Sequence, residues 1–340
     1  RRGVSMGKAK PKSILAEILI EIAPRVGARV TLEPVWGYVG QITYASGVKR
    51  YFRSSTLDIN RIGASDIAKD KGYAKYFMRL EGYQTIPGET FYSKSWAKAI
   101  QSKKDIDAAY RYASRIGFPV VVKPNSRSQG SGVMKVHNKT EFYQAARSAF
   151  AKDNTILVER AMTGREYRIV VLDDSIISAY ERFPLQVTGD GHSTIERLLR
   201  SKQKLFEQLD RDTRIDFSDP RIRTKLKRQK MTLKSVPKAG DVVILLDNAN
   251  LSTGGESEDV TDIVHPDMAN LAICLTKAMG LRLCGVDVIV STSIDRSPKN
   301  SYHIIEVNSA PGLDHYASLG DKQRKVVEDL YLRVLKAMEY

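Results

Sequence analysis

The sequence predicts a mixed α/β protein built of α+β lobes. Short β-branched or alternating runs, such as Val120–Val122, are interleaved with segments rich in helix formers, such as Ile106–Ile116. Glycines such as Gly117 follow several of the helical segments, where they favour the end of a helix. The 340 residues suffice for one large domain or for two to three lobes that share a site.

The first half of the chain alternates between short strands and helices. The segment Arg29–Arg53 consists of short alternating runs broken by glycines and predicts a small sheet. Over Ser65–Leu80 the apolar residues are spaced for one helical face, and Gly82 follows as a stop. The helix Ile106–Ile116 then leads into the strand that begins at Val120. The same patterns predict the helix Phe142–Phe150 and the strand Thr155–Glu159.

The second half begins with a predicted β-hairpin, Glu166–Leu172 and Ile176–Arg182, which turns at an Asp-Asp-Ser sequence. Ser193 is followed three residues later by Glu196, a capping-box pattern that predicts a helix over Thr194–Leu209. The remaining predicted elements are the strand Val242–Leu246, the helix His265–Met279, the strands Leu283–Val290 and Tyr302–Val307, and the helix Lys322–Met338.

The formal net charge is +15, and about half of it lies in one segment. Between Arg200 and Lys238 there are thirteen Lys or Arg and five Asp or Glu, a net charge of +8. A solvated insertion is one interpretation, and a nucleic-acid-binding arm is disfavoured because Phe206 and Phe217 are the only aromatics in the segment. A third interpretation is favoured, in which basic residues near a triphosphate and a carboxylate balance charge and cover the reaction.

The sequence contains no pattern that predicts a membrane segment or secretion. No apolar run approaches the ~18 residues that span a bilayer, and the first residues lack a signal-peptide pattern. We therefore expect a cytoplasmic protein. Cys274 and Cys284 have neither metal-ligand nor redox-pair spacing and are interpreted as reduced packing residues.

A lysine at the end of a predicted buried strand is followed at once by a loop of small residues. Lys123 ends the run VVVK and precedes PNSRSQGSG, in which Gly130 and Gly132 let backbone N–H groups fold toward anionic oxygens. This arrangement is typical of phosphate binding, but Gly-Ser loops after strands are also common elsewhere. Whether this loop indicates phosphate binding therefore depends on residues farther along the chain.

Acidic residues occur inside two strands that are otherwise apolar. Asp287 lies in GVDVIV, and Glu306 and Asn308 lie in HIIEVN. Glu306 and Asn308 are two residues apart and face the same side of one strand, where an antiparallel neighbour would place Asp287 beside them. Three oxygen ligands of this kind suit Mg²⁺. The alternative is a buried Asp held by backbone amides or by an Arg.

Several motifs, in one order along the chain, resemble the ATP-grasp superfamily of carboxylate–amine ligases. They are Lys75, the loop after Lys123, Glu159-Arg160, Gly164-Arg165-Glu166, Asp287 and Glu306-Val307-Asn308. Longer motifs are similar to the ATP-grasp regions of cyanophycin synthetases and bifunctional glutathione synthetases. These are VTGDGHSTIERLL at Val187–Leu199, LKSVPKAGDVVILLDNANLSTGG at Leu233–Gly255, DVTDIVHPD at Asp259–Asp267 and IIEVNSAPGLDHY at Ile304–Tyr316.

The resemblance implies an ATP-grasp fold with an N-terminal α/β lobe, a small central lid lobe and a C-terminal lobe with an antiparallel sheet. The expected ranges are 1–64, 65–160 with the phosphate loop, and 161–340 with the basic insertion 200–238. It also implies an ADP-forming ligase that uses ATP and two Mg²⁺ ions, with Mn²⁺ as the alternative metal. Such an enzyme forms a peptide or amide bond between a small-molecule or peptide carboxylate and an amine through an acyl phosphate.

For the nucleotide, the resemblance implies that Lys75 and Lys123 contact the phosphates from either side. A helix with Lys69, Lys71 and Lys75 is also typical of an ordinary solvated face. The loop implied to close over the phosphates contains Ser126, Ser128, Gly130, Ser131 and Gly132. The groups implied to hold adenosine are Glu159, Arg160 and Ala161 at the adenine and Glu166 at the ribose.

For catalysis, the resemblance implies that Arg182 stabilises the transferring phosphoryl group, with Lys123 as a second catalytic cation. Arg168 would orient the carboxylate substrate. The implied metal ligands are Asp287, Glu306 and Asn308. The small polar segment NANLSTGG is suited to wrapping the acyl acceptor or a phosphate through Asn250, Gly254 and Gly255, with a plain surface turn as the alternative.

Two other functions stay open at this point. A phosphotransferase on the same scaffold would stop at the phosphorylated product, and a basic protein would bind nucleic acid or another acidic polymer through Arg200–Lys238. The chain lacks the P-loop of the second domain of cyanophycin synthetases, which argues against polymer synthesis. Gly285 stands where D-alanine–D-alanine ligases have an arginine, which weakens a D-alanine substrate. The carboxylate donor, the amine acceptor and homo-oligomerisation stay open.

Overall fold

The computed structural model describes residues 13–127, 130–208, 211, 213–299 and 301–339. The predicted mixed α/β class is confirmed. The helices are α1 (Ile14–Ile22), α2 (Ile62–Lys69), α3 (Lys71–Leu80), α4 (Lys94–Ala99), α5 (Ile106–Ile116), α6 (Lys139–Phe150), α7 (Ile195–Gln208), α8 (Pro220–Arg228), α9 (Pro266–Ala278), α10 (Asp314–Ala317) and α11 (Asp321–Glu339). The strands are β1 (Ala28–Leu32), β2 (Val39–Tyr44), β3 (Lys49–Arg53), β4 (Thr56–Leu57), β5 (Gly88–Tyr92), β6 (Val120–Pro124), β7 (Met134–Val136), β8 (Thr155–Arg160), β9 (Arg165–Leu172), β10 (Ser175–Phe183), β11 (Gln186–Thr188), β12 (Val242–Ile244), β13 (Glu256–Asp259), β14 (Leu283–Val290) and β15 (Tyr302–Asn308).

The largest sheet is antiparallel and has the order β13-β10-β9-β14-β15. Its central strands are largely buried, which is why β14 and the second half of β9, Ile169–Leu172, are almost continuously apolar. One face packs on α9, α2 and α3, and the other packs on α1 and α11. Polar residues inside these strands therefore lie where water has little access.

A smaller antiparallel sheet has the order β5-β8-β6-β7, and α5 and α6 cover one of its faces. Its core contains Phe91, Val120 and Phe142, all buried. The strand β6 ends in Lys123-Pro124, and β8 lies beside it with Lys123 opposite Leu157. Because the two strands are antiparallel, the start of β8 lies at the same edge as the phosphate loop predicted from the sequence, and Glu159 near its end lies opposite Val121.

The N-terminal strands form a separate sheet of order β1-β2-β3-β4. This sheet packs against α11, where the Tyr44 hydroxyl donates a hydrogen bond of 2.6 Å to the Leu335 carbonyl. Burial beside Glu339 raises the pKa of Tyr44 to about 12, so the hydroxyl keeps its proton. The small sheet predicted over Arg29–Arg53 is confirmed.

The basic segment belongs to a folded unit. Strands β11 and β12 pair, and α7 and α8 share a hydrophobic core with them. Phe206, Ile222 and Leu226 are buried in that core. The described part of the segment is therefore not a purely solvated insertion, because each helix has an apolar stripe that faces inward. We call residues 185–246 the basic subdomain.

One predicted helix differs from the structure. The segment Ser65–Leu80 forms two helices because the chain is extended at Asp70, with φ −93° and ψ 106°. The Asp70 carboxylate accepts a hydrogen bond from the Tyr73 N–H and caps α3, as short acidic side chains do at helix starts.

The β9–β10 hairpin agrees with its prediction. Within the described ranges, no helix has the length and apolarity required to cross a membrane.

Candidate active site

The acidic residues predicted to meet at the large sheet do meet. Asp287 on β14 pairs in register with Glu306 on β15 and, on its other side, with Arg168 on β9. Asn308 pairs with Gly285, so it lies two positions from Glu306 along the same strand. The side chains at 287, 306 and 308 thus belong to one small area of the sheet.

Two arginines hold the Asp287 carboxylate. Arg168 donates through Nε to Oδ1 at 2.6 Å and through a second nitrogen to Oδ2 at 2.7 Å. Arg182 donates to Oδ2 at 2.8 Å and also pairs with Glu166. Burial opposes ionisation of Asp287, but both arginines favour it, and the pKa of Asp287 is lowered. Burial dominates at Glu166, whose pKa is raised despite Arg182.

A second buried ion-pair group lies at the small sheet. Glu159 is 2% exposed and pairs with Lys123 at 2.7 Å and with Lys75. Burial would raise the pKa of Glu159, but Lys123 and Lys75 prevail and lower it. Lys75 is itself buried, so a solvated face is the wrong interpretation for this lysine. Burial lowers the pKa of Lys75 to about 8, whereas Glu159 outweighs burial at Lys123 and raises its pKa.

Lys71 is a functional candidate that the sequence interpretation did not single out. Its Nζ lies 3.6 Å from Glu306 Oε2 and donates to the Arg127 carbonyl at 2.6 Å. It therefore joins the predicted metal ligands to the phosphate loop. The signal was available, because Lys71 and Lys75 are four residues apart and share one face of α3.

These groups surround a cavity of about 1180 Å³ between the small sheet, the large sheet and the basic subdomain. This volume exceeds that of most single small-molecule sites. The predicted site residues that line it are Lys123, Gly130, Ser131, Gly132, Glu159, Arg160, Ala161, Glu166, Arg182, Asn250, Asp287 and Glu306. Lys71 also lines it.

Other predicted site residues lie elsewhere. Ser128 falls outside the described residues. Lys75, Arg168 and Asn308 are not among the described residues that line the cavity, but each contacts one that does or lies beside it in the sheet. The Ser126 N–H donates a hydrogen bond to Asp153. Gly254 and Gly255, predicted to contact the acyl acceptor, are not among the described residues that line the cavity, and both pack tightly inside the protein. A Cβ would lie 3.0 Å from Leu185 at Gly254 and 2.7 Å from the Phe183 carbonyl at Gly255, so backbone packing explains this Gly-Gly pair.

The acidic area offers oxygen donor atoms that suit a hard metal ion. Among the described side chains, no group of three or more His, Cys, Asp or Glu is arranged to hold an ion. A metal here would rest on two carboxylates, one amide oxygen and ligand oxygens. That combination fits Mg²⁺, which retains water and phosphate ligands. The Nδ2 of Asn308 donates to the Gly285 carbonyl at 3.4 Å, which leaves its Oδ1 free to face a ligand.

Comparisons with known proteins agree with this geometry. The family model for the D-ala D-ala ligase C-terminus matches residues 80–190, and that for the RimK-like ATP-grasp domain matches residues 233–328. A bifunctional glutathione synthetase structure from Pasteurella multocida superposes with a TM-score of 0.54 at 25% identity. It covers 89% of this chain, which covers 42% of that one.

Curated relatives match over most of the chain. The glutathione biosynthesis bifunctional protein GshAB of Enterococcus faecalis is 32% identical over 277 residues, which is 78% of this chain and 35% of the relative. The cyanophycin synthetase of Trichormus variabilis is 31% identical over 284 residues, which is 80% of this chain and 29% of the relative. The chain thus spans about a third of the length of these curated relatives.

The fold places most of the predicted site residues around one cavity between two sheets, and the matches place the chain in a superfamily. The chain is an ATP-grasp protein. Within that superfamily it is similar to bifunctional glutathione synthetases and cyanophycin synthetases, which confirms the resemblance identified from the sequence motifs.

Proposed function

We propose that this chain catalyses ATP- and Mg²⁺-dependent ligation of an amino-acid or peptide carboxylate to an amine, with release of ADP and phosphate. One observation carries the proposal: two buried ion-pair groups, centred on Glu159 and Asp287, border the same cavity. Buried charges are costly and are retained where they serve a site. The names of a curated relative and of a matching structure, a cyanophycin synthetase and a bifunctional glutathione synthetase, support the same chemistry.

The phosphates of ATP would be held by Lys75, Lys123 and the backbone of residues 130–132. In the protein without nucleotide, Glu159 supplies the negative charge that both lysines need. Phosphate oxygens would take over that role, since they carry more charge and accept several hydrogen bonds. Glu159 would then be available for the adenine amino group, next to the backbone of Arg160 and Ala161.

The metal site would consist of Asp287, Glu306 and Asn308. Bound Mg²⁺ neutralises phosphate charge and aligns the reacting groups, and Mn²⁺ would serve with the same oxygen ligands. Asp287 has two arginine partners, which keep it ionised and ready to coordinate.

The reaction needs cations more than acids or bases. An oxygen of the substrate carboxylate attacks the γ-phosphorus, and the bond from that phosphorus to ADP breaks. The amine then attacks the acyl carbon, loses a proton, and phosphate leaves. Arg182 is suited to stabilise the phosphoryl group because its Nε is buried and makes no hydrogen bond within the described residues. Arg168 would orient the substrate carboxylate.

The proposal is tested by ADP release. With Mg²⁺ and ATP, pairs of amino acids or short peptides should give ADP only when a suitable carboxylate and amine are both present, and mass spectrometry should show the condensed product. The Lys123→Ala variant should lose at least about a hundredfold in kcat/KM, since one preorganised charge contributes several kcal/mol. The exposed Lys69 provides the matched control, and Lys69→Ala should be unchanged.

The alternatives give different outcomes. A phosphotransferase would form ADP and a phosphorylated carboxylate without any amine. A basic polymer-binding protein would show steeply salt-dependent polymer affinity that survives Asp287→Asn. Either result, in place of an amide product, would refute ligation.

Nucleotide affinity should fall as the pH rises through about 8. The pKa of Lys75 is lowered to about 8 by burial, so its ammonium group is lost above that pH in the free protein. The dissociation constant of ATP should rise about tenfold between pH 7.5 and 9.5, measured by calorimetry. Phosphate ionisation is nearly complete over this range and does not obscure the step.

Lys75→Met is the control for this pH dependence. Its affinity should be weak already at pH 7.5 and nearly constant up to pH 9.5. A Lys75→Met variant that keeps the wild-type pH step would assign the titration to another group.

A further inference from the structure

Helix α8 of the basic subdomain reaches across the cavity to the small sheet. Arg221 lies on the first turn of α8 and directs one terminal nitrogen at the carbonyls of Gly130 and Val133, at 3.4 and 3.3 Å. Arg228, on its last turn, pairs with Glu141 of α6 at 2.6 Å. The two ends of α8 thus contact the exit of the phosphate loop and the helix that supports it.

The basic subdomain is built to present these arginines rigidly. Asp219 caps α8, and its carboxylate also holds the Nε and the second terminal nitrogen of Arg221. That leaves the remaining nitrogen directed at the loop carbonyls. Lys225 on the same helix pairs with Asp247, and Ile222 and Leu226 anchor the opposite face in the subdomain core. Little side-chain freedom remains to be lost when the contacts form.

The loop exit is confined from a second side. Gly130 has φ +68°, and a Cβ there would lie 2.5 Å from Asn250 Oδ1 and 2.7 Å from Asn248 Nδ2. Only glycine fits both the backbone conformation and the space. Gly130 is therefore held between Arg221 and the Asn248–Asn250 segment.

We propose that Arg221 and Arg228 are positioning residues, which fix residues 130–133 and α6 against the basic subdomain during the reaction. This inference rests on the proposed ligase function for its purpose. Fixing the loop exit keeps the phosphates aligned and water away from the acyl phosphate, which hydrolyses if water enters. The positively charged side chains of the basic subdomain would thus hold residues 130–133 and α6 of the same chain.

The test reverses the charge of Arg228, one member of the ion pair with Glu141. Arg228→Glu should raise the fraction of ATP consumed without amide product and should lower kcat/KM about tenfold, the effect of a coupled ion pair. The double variant Arg228→Glu with Glu141→Arg should restore much of both. Arg223, exposed on the same helix, is the matched control, and Arg223→Glu should behave as wild type.

A second measurement does not depend on activity. Hydrogen–deuterium exchange at the amides of residues 130–136 should be faster in Arg228→Glu and return toward wild type in the charge-swapped double variant. If wild type forms no ADP, the ligase proposal fails. The exchange data still test the positioning role of Arg228. Unchanged exchange in Arg228→Glu, or no rescue in the double variant, would overturn the positioning role.

Discussion

Asp287→Asn is expected to abolish ADP formation and to destabilise the fold at the same time. The substitution removes a proposed metal ligand, whose contribution of several kcal/mol corresponds to at least about a hundredfold in rate. It also leaves the buried Arg168 and Arg182 without their shared negative charge. Breaking a buried pair of this kind costs about 3–5 kcal/mol, and Asn keeps part of the hydrogen bonding, so we expect about 3.

Glu306→Gln is the matched comparison within the same proposed metal site. The Glu306 side chain is 24% exposed and, among the described residues, pairs only with Lys71, at 3.6 Å. Its loss should cost at most about 1 kcal/mol of stability while reducing ADP release as strongly as Asp287→Asn does. Urea denaturation and an ADP assay on both variants separate the two effects. Equal stability of the two variants would show that the arginines do not depend on Asp287.

The meeting of Asp287 with Glu306 was predictable because it depends on a local rule. Side chains alternate between the two faces of a strand, and an acidic side chain in an apolar strand is costly to bury unless it has a partner. The role of Arg168 in holding Asp287 was not predictable in this way. The two residues are 119 positions apart, and their contact requires the exact register of β9 against β14. The two-residue period of a strand predicts the face on which a side chain lies. Which strand lies beside it, and in which register, depends on tertiary packing.

The basic subdomain was hard to predict for a different reason, because its local sequence signal was ambiguous. Charge dominates α8, and Ile222 and Leu226 are its only buried apolar residues within the described part of the helix. Their spacing of four residues is the helical signal, but the surrounding lysines and arginines are also typical of a solvated segment. The shared core with α7, β11 and β12 and the contacts of Arg221 and Arg228 with the small sheet and α6 show a folded unit, and both depend on tertiary packing.

Glu159→Gln should destabilise the protein strongly at low pH and progressively less as the pH rises. Two buried ammonium groups, on Lys75 and Lys123, would lose their counterion, at a cost of about 3–5 kcal/mol. The variant can relieve this cost by releasing a proton from Lys75, whose pKa is already lowered to about 8 with Glu159 present. Without Glu159 the pKa of Lys75 should fall further.

The sign of the pH dependence follows from proton counting. An unfolded chain keeps a lysine proton up to its usual pKa, so it binds more protons than the folded protein once folded Lys75 has titrated. Stability therefore rises with pH from the folded pKa upward, beginning near 8 in wild type and lower in Glu159→Gln. The stability gap between the two should narrow between about pH 6 and 8.

Urea denaturation at pH 6, 7, 8 and 9 measures this gap. Glu89→Gln, which removes an exposed partner of Lys104, is the matched control and should cost little at any pH. ATP should raise the melting temperature of Glu159→Gln more than that of wild type, because phosphate oxygens replace the missing carboxylate beside both lysines. A constant gap across the pH range, or an equal shift with ATP, would mean that the lysines are neutralised by other groups and that Glu159 is not their counterion.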